Sequence, residues 1–391
     1  GGGGGGGGER EREMADYFDA DADDRLKRSL ESREQMTPAL RQALDDGTVR
    51  AVKGDLGLRH LGMESGSLFR HVASRVRCIV HCGCHVNHLF DYATLKPTNV
   101  GSVDSLAEMC ALAPKDAKPD FIYVSTISVL EDHAMAAEGE GSVKYISSQD
   151  AGGYSQSKWV AEMRLRNYND SASDGALFGS LTLVRPGIIG FDSRSGSANR
   201  SDWFLRFLIG ALQLGAVKLC DAPQSINVTP VDHAAVILLN IMQERCRVFR
   251  KEGTEVEEDE DAADVTTLHL PITASVSTHE FMQQFIASAG EQGRHIRAVG
   301  AEEWAELLQS LPSGNAFSSF NDGRFDDGLD GIESHPSGNT VCWLLRRGVH
   351  VVEGLEMCYS KEQIDGLVSF LLRREPLLKR RLMLRTLSNS I

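Results

Sequence analysis

Tyr154 and Lys158 stand four residues apart in the stretch GGYSQSKWVAE (152–162). On a helix that spacing places both side chains on one face. An ammonium beside a phenol favours the phenolate and lowers its pKa from the reference of about 10. Such a pair can give or take a proton while hydride moves at an adjacent carbon. The spacing alone is common on surface helices, but VSTIS (124–128) adds to it. A hydroxyl at that strand end, which holds Ser125, Thr126 and Ser128, can hydrogen-bond a carbonyl oxygen as a small oxyanion site. A second crowded stretch, CIVHCGCHVNH (78–88), carries Cys78, Cys82, Cys84, His81, His85 and His88. Structural zinc sites pair two ligand couples across a loop. Here the Cys78/Cys82 and His81/His85 couples interleave, and strand alternation sends Cys78 and Cys82 to the face opposite His81. No metal site is expected there.

The elements that must position these residues alternate between strand and helix. A helix is predicted over 24–45, a strand over VRAVKGDL (49–56) and a short helix over 65–74. Then follow a buried strand in VRCIVHCG (76–83), a helix over 99–113 and a strand in DFIYVST (120–126). A long helix over 154–168 precedes the strand SLTLVRPG (180–187), which Pro186 stops. Alternation of this kind predicts a Rossmann-like, doubly wound parallel sheet with helices on both faces. Chemistry in such sheets collects at the carboxyl ends of strands. That draws attention to Asp55, His81–Cys84, Ser125–Ser128 and Arg185–Ile188. Later segments read as helices over 201–217, with Ser201 or Asp202 as N-cap, and over 231–243, 279–289 and 301–311. Strands are predicted over 265–270 and 295–299, a loop over 312–340, and a helix over 361–388 with a basic end.

Three parts follow from this order: a low-complexity disordered segment over 1–23, a nucleotide-binding domain over 24–200, and a smaller substrate lobe over 201–391. The lobe carries an acidic loop over 251–264, densest in EVEEDEDAAD. The opening octaglycine and its charged sequel have little apolar area to bury. A formal net charge of −14 argues against non-specific nucleic-acid binding. The sequence holds neither an apolar run long enough for a membrane span nor a secretion signal at its start. The eight scattered cysteines fit reduced thiols and a cytoplasmic location.

In order along the chain, Asp55-Leu56, HCGC, TNVGSVDSL (98–106), VSTIS, YSQSK and VRPGIIG (184–190) resemble the extended short-chain dehydrogenase/reductases. HVNHLFDYATLKPTNVGS (85–102), RSGSANRSDWFLRFLIGALQLG (194–215) and INVTPVDHAA (226–235) narrow the likeness to the thioester reductase domains. Such domains end nonribosomal peptide synthetases, aminoadipate reductases and carboxylic acid reductases. The resemblance spans roughly residues 25 to 311. It implies Tyr154 as proton donor, Lys158 as the residue that binds the nicotinamide ribose and tunes Tyr154, and Thr126 as the third catalytic member, with Ser125 and Ser128 as less favoured alternatives. It places Asp55 and Leu56 near the adenine, and His81, Gly83 and the backbone at Cys82 and Cys84 along the cofactor groove, with Ser125 also counted among the cofactor contacts. Pro186, Gly187 and Ile188 would lie against the nicotinamide carboxamide. For Asn99 both helix capping and a supporting role stay open. Trp203 and Phe204 are expected to pack the substrate lobe.

The implied reaction is hydride transfer from NADPH, in preference to NADH, to a thioester. That thioester would be held on the phosphopantetheine arm of an acyl- or peptidyl-carrier protein in the same parent polypeptide. A hemithioacetal then collapses to an aldehyde, which some members reduce further to an alcohol. This sequence departs from the pattern: Cys82 and Cys84 stand where the family usually has Asn and Ala, and the first strands of the sheet, including the second strand with its basic residue for a 2′-phosphate, are expected to be missing. The family opens on a strand and a Gly-x-x-Gly-x-x-Gly turn that leads into a helix, and the octaglycine here has no apolar strand ahead of it. Weak NADPH binding by the chain as it stands is therefore expected. An extended short-chain reductase acting on acyl-CoA or a free small molecule is one rival reading. A truncated non-catalytic remnant that docks a partner is the other.

Overall fold

The computed structural model describes residues 20–63, 66–130, 152–171, 176–219, 225–226, 228–245, 265–270, 276–311, 315–319 and 359–374. The octaglycine, the acidic loop over 251–264, most of 312–340 and the basic end beyond residue 374 lie outside them. Contacts divide the chain into two compact units. One comprises residues 1–125, 146–183 and 245–266, the other 126–145, 184–244 and 267–391.

The sheet is built from β1 (Cys78–His81), β2 (Asp120–Val124), β3 (Ser180–Arg185) and β8 (Thr266–His269), in the order β1-β2-β3-β8. β1 and β2 run parallel, with Cys78 opposite Asp120 and His81 opposite Tyr123. The first four residues of β2 are buried, as a strand covered on both faces requires. In the first unit the helices are α1 (Ala20–Ser32), α2 (Pro38–Asp45), α3 (Gly66–Ala73), α4 (Tyr92–Asn99), α5 (Gly101–Leu112) and α6 (Gly153–Asp170). The apolar faces of α3, α5 and α6 join Ile79, Phe121, Tyr123 and Leu183 of the strands in one core with Phe69, Val103, Leu106 and Leu165.

Several boundaries differ from the sequence reading, each for a local reason. The helix predicted over 24–45 is two helices. Thr37 accepts a hydrogen bond from Leu40 N and Pro38 opens α2, a capped start that breaks the run. The helix predicted over 99–113 is likewise preceded by α4, which Asp91 caps through Thr94 N and which carries Pro97 inside. The expected strand over 49–56 is absent: residues 50–55 join no ladder. Its backbone is bonded otherwise: Ala51 N donates to the Asp23 carboxylate at 2.7 Å, Val49 N to Ala43 O at 2.8 Å and Asp55 N to Leu61 O at 2.7 Å.

The second unit has its own core around α7 (Trp203–Leu214), whose residues are buried except Trp203, Arg206 and Leu214. Asp202 is the N-cap, accepting from Phe204 N at 2.9 Å, and Gly215 ends the helix at φ 72°. Phe204 is fully buried and Trp203 packs against the same core, as expected of both. Helices α8 (Val231–Arg245), α9 (Thr278–Glu291), α10 (Ala301–Gln309) and α11 (Lys361–Arg374) surround it. Short strand pairs complete it: β4 (Ile188–Ile189) with β7 (Val228–Thr229), β5 (Ala216–Lys218) with β10 (Arg297–Val299), and β6 (Ser225–Ile226) with β9 (Val276–Ser277). Among the described residues no helix is long and apolar enough to cross a membrane.

Candidate active site

Helix α6 buries Tyr154, Ser157, Lys158, Ala161, Glu162 and Leu165, spaced by three or four residues in one stripe. Most of that stripe is polar, which is unusual for a buried helix face. Its first turn is locked by Gly153: a methyl group there would lie 2.4 Å from both Asp91 C and Phe90 O. Only glycine lets α6 start so close to the α4 cap. Further along, Ser157 Oγ donates to Tyr154 O at 2.7 Å and accepts from Asn99 Nδ2 at 2.9 Å. Asn99 also takes His85 N at 2.7 Å and donates to His85 O at 3.2 Å. Asn99 is thus neither an N-cap nor a surface residue. It ends α4 and ties the loop after β1 to the helix that carries Tyr154 and Lys158.

Lys158 is 1% exposed. Its Nζ donates to Val124 O, the last carbonyl of β2, at 2.6 Å, and lies 4.5 Å from the centre of the Tyr123 ring. Burial pulls its pKa down; Cys84, Glu162 and Cys82 work in the opposite direction, Cys84 partly through a side-chain hydrogen bond. Tyr123 is also buried, and its hydroxyl has no hydrogen-bond partner among the described residues. Burial holds the Tyr123 phenol well above its ordinary range. Tyr154 is 9% exposed, with its ring centre 5.0 Å from that of His88. The phenol and ammonium expected to share one helix face do so.

Around them, His81 is buried with Nε2 3.0 Å from Ser102 Oγ and its ring tilted against Tyr123 at 5.7 Å. Burial, then the charge of Lys158, pushes its pKa down to about 4. Gly83 leaves room for Leu56: a methyl there would lie 2.6 Å from Leu56 Cδ1. Asp55 accepts from Gly57 N at 2.8 Å in a tight turn. Ser125 is 3% exposed and its hydroxyl has no partner among the described residues.

The remaining sequence-predicted residues belong to the second unit. Thr126 Oγ1 accepts from Ser128 N at 3.2 Å and lies 3.3 Å from Ser128 Oγ, capping a short turn over Ile127–Val129. Ile127 N donates to Pro186 O at 2.9 Å, and Gly187 N to Leu270 O at 2.8 Å. These bonds hold the turn after β2 against the turn after β3, and Ile188 continues into β4.

Two residues of the Tyr154–Lys158 neighbourhood, Glu162 and Tyr123, escape sequence reasoning, and a third, Asn99, is left open by it between capping and a supporting role. Glu162 repeats the i, i+4 step from Lys158 and could have been found from that spacing. Tyr123 sits two residues ahead of Ser125 in a strand that reads as plain core, so its place under an ammonium leaves no sequence signal. Asn99 is polar in an otherwise ordinary helix end, and only its burial separates it from a cap.

Comparison with known proteins adds an independent finding. A family model of NAD-binding proteins, described as Male sterility protein, matches residues 18–238. The L-2-aminoadipate reductase large subunit of Penicillium chrysogenum is 32% identical over 303 residues, 71% of this chain and 18% of that protein. The reductase (R) domain of a nonribosomal peptide synthetase from Mycobacterium tuberculosis has a TM-score of 0.67 at 22% identity, covering 92% of this chain and 84% of that one. The terminal R domain from the myxalamid PKS-NRPS pathway gives 0.64 at 24% identity, over 90% and 80%. Both likenesses show the Rossmann-like fold. The chain spans less than a third of the length of the first curated relatives it matches.

Proposed function

The chain belongs to the Male sterility family of NAD-binding proteins, and from that premise we propose that it is a reductase domain that releases a carrier-bound acyl or peptidyl thioester as an aldehyde or alcohol. One observation carries the reading. The buried stripe of α6 holds Tyr154 and Lys158 on one face, with the ammonium fixed at the carboxyl end of β2. The likeness to aminoadipate reductases and synthetase R domains supports a thioester as substrate.

The residues fit the ribose end of a dinucleotide. Lys158 has a third N–H beyond its bonds to Val124 O and Cys84, and the Tyr123 and Ser125 hydroxyls are buried without partners among the described residues. NADPH, when bound, supplies the hydride. In this reading Tyr154 moves the proton at its hydroxyl, Lys158 holds the ribose and favours the phenolate, and Thr126 is the hydroxyl donor carried over from the resemblance. Asp55, Leu56, His81, Gly83 and Ser125 serve the cofactor, and Pro186, Gly187 and Ile188 the carboxamide. Residues 24–200 would be the nucleotide-binding part and 201–391 the substrate lobe. A carrier protein in the same parent polypeptide, acting in the cytoplasm, would present the phosphopantetheine arm.

The test is single-turnover loss of NADPH absorbance with an acyl-carrier thioester, with the aldehyde trapped as a hydrazone. Tyr154→Phe should cut the rate by about 10²- to 10⁴-fold, the span of general-acid contributions, while the folded stability stays within about 1 kcal/mol. Equal rates for the two proteins would remove Tyr154 from the chemistry. The rival reading is a docking remnant. That reading gains if neither protein turns over while both bind the carrier.

A further inference from the structure

The chain between Gly54 and Met63 folds back on itself through three consecutive residues of positive φ: His60 at 53°, Leu61 at 58° and Gly62 at 66°. Glycine takes that left-handed backbone freely, histidine occasionally and leucine rarely, so the surroundings must impose it. The turn is bonded directly to its own start. Asp55 N donates to Leu61 O at 2.7 Å, and Met63 N to His60 O at 3.2 Å. Two glycines permit the approach: a methyl on Gly54 would lie 2.8 Å from Leu61 O, and one on Gly62 2.8 Å from Asp55 N. The His60 side chain anchors the turn from outside. Its ring stacks on Phe69 of α3 with centres 4.5 Å apart, and Nε2 lies 2.9 Å from Glu108 Oε1 on α5. The Arg59 guanidinium reaches the same oxygen at 3.4 Å. At the far end of the turn, Asp55 is exposed and Leu56 reaches across to Gly83 in the loop after β1.

We propose that His60 and Glu108 are positioning residues for the adenine end of the cofactor. Their hydrogen bond holds the left-handed turn closed, and the closed turn fixes Asp55 and Leu56 through the bond from Asp55 N to Leu61 O. A strained backbone persists only where its neighbours over-determine it. With the anchor cut, residues 60 and 61 relax and the Asp55 backbone moves with them. Gly57 N takes one oxygen of the exposed Asp55 carboxylate, and the other suits the exocyclic amino group of adenine. Both anchoring residues act through Asp55 rather than on the cofactor. This last step rests on the reading of Asp55 and Leu56 as adenine contacts, whereas the clamp rests on distances alone.

The test combines amide exchange with saturation-transfer NMR of NADPH, which reads adenine and nicotinamide protons in one spectrum. In Glu108→Ala and in His60→Asn, exchange at Asp55 and Met63 should rise. Asparagine tolerates the left-handed backbone, but its side chain is too short to replace the imidazole Nε2. In both variants the adenine signals should fall relative to the nicotinamide signals by about threefold or more, in the range of one lost hydrogen bond. The double substitution should do no more than either single one, because both cut the same bond. Glu108→Gln keeps an acceptor for His60 and should restore the unsubstituted pattern. Unchanged exchange at Asp55, equal loss at both ends of the cofactor, or no rescue by Glu108→Gln would each overturn the proposal. If His60→Asn does not fold, the two Glu108 variants decide. If the unsubstituted chain gives no NADPH signal, the adenine reading of Asp55 fails and takes the cofactor step with it, and the exchange data still judge the clamp.

Discussion

Lys158 is the residue on which the candidate site turns, because a buried ammonium is costly unless its donors are satisfied. Val124 O, the Tyr123 ring face and the Cys84 side chain share that task, and each comes from a strand end or the loop after one. The same cation reaches His81, one residue from that loop. His81 is 5% exposed, and burial followed by the Lys158 charge takes its pKa to about 4 from an ordinary 6.5. The unfolded chain therefore takes up the proton first as pH falls. Stability from this residue is intact above pH 6.5 and is lost as pH drops toward 4, by up to about 3 kcal/mol. His269, pushed to about 4 by burial and then Arg185, acts in the same direction. Asp202 acts in the other: burial raises it to about 6 from 3.8, so its contribution is present at low pH and lost as pH rises through 6. The His81 share is isolated by difference. Urea unfolding of the unsubstituted chain and of His81→Asn between pH 4 and 7 should show a gap that narrows on acidification. A gap constant with pH would mean that His81 is not buried neutral.

At the scale of elements, the sequence is most legible where period and burial agree. The β2 run DFIYV and the α6 stripe were both readable because each follows its own repeat through several residues. Elements set by a partner far away in sequence were not. Residues 49–56 alternate like a strand but are bonded by Asp23, and α4 is hidden by Pro97 and by a cap at Asp91 that sequence alone does not rank. The candidate site shows the same division. Tyr154 and Lys158 were visible from spacing, whereas the bracket made by Asn99 depends on burial and on three hydrogen bonds to residues at least 14 positions away. That bracket is testable. Asn99→Ala leaves the His85 amide and the Ser157 hydroxyl without their partner, at a cost of about 2–4 kcal/mol. Chemical denaturation should show that loss, and hydrogen exchange should rise at His85 and in the first turns of α6 ahead of the rest of the helix. Uniform destabilisation without that local signature would reduce Asn99 to ordinary packing.

On the scale of the whole molecule, the described residues provide for the ribose end of a dinucleotide far better than for its phosphates. Helix N-termini hold pyrophosphate when a glycine turn lets the backbone N–H groups approach it. The Gly152-Gly153 pair at the start of α6 is taken: Gly153 is spent on the backbone of Phe90 and Asp91. The octaglycine has neither an apolar strand before it nor a helical stripe directly behind it in the sequence. Affinity must therefore come from Lys158, the buried hydroxyls and the loop after β1. Burial of so few contacts, without charge-assisted bonds to two phosphates, predicts a dissociation constant of about 0.1 mM or weaker for the 391-residue chain. Because phosphate contacts are not the source, binding should also change little between 50 and 300 mM salt. Equilibrium dialysis with NADPH across that range checks both statements. A constant in the low micromolar range, or a steep salt dependence, would mean that a phosphate cradle forms from residues to which this reading assigns no such role.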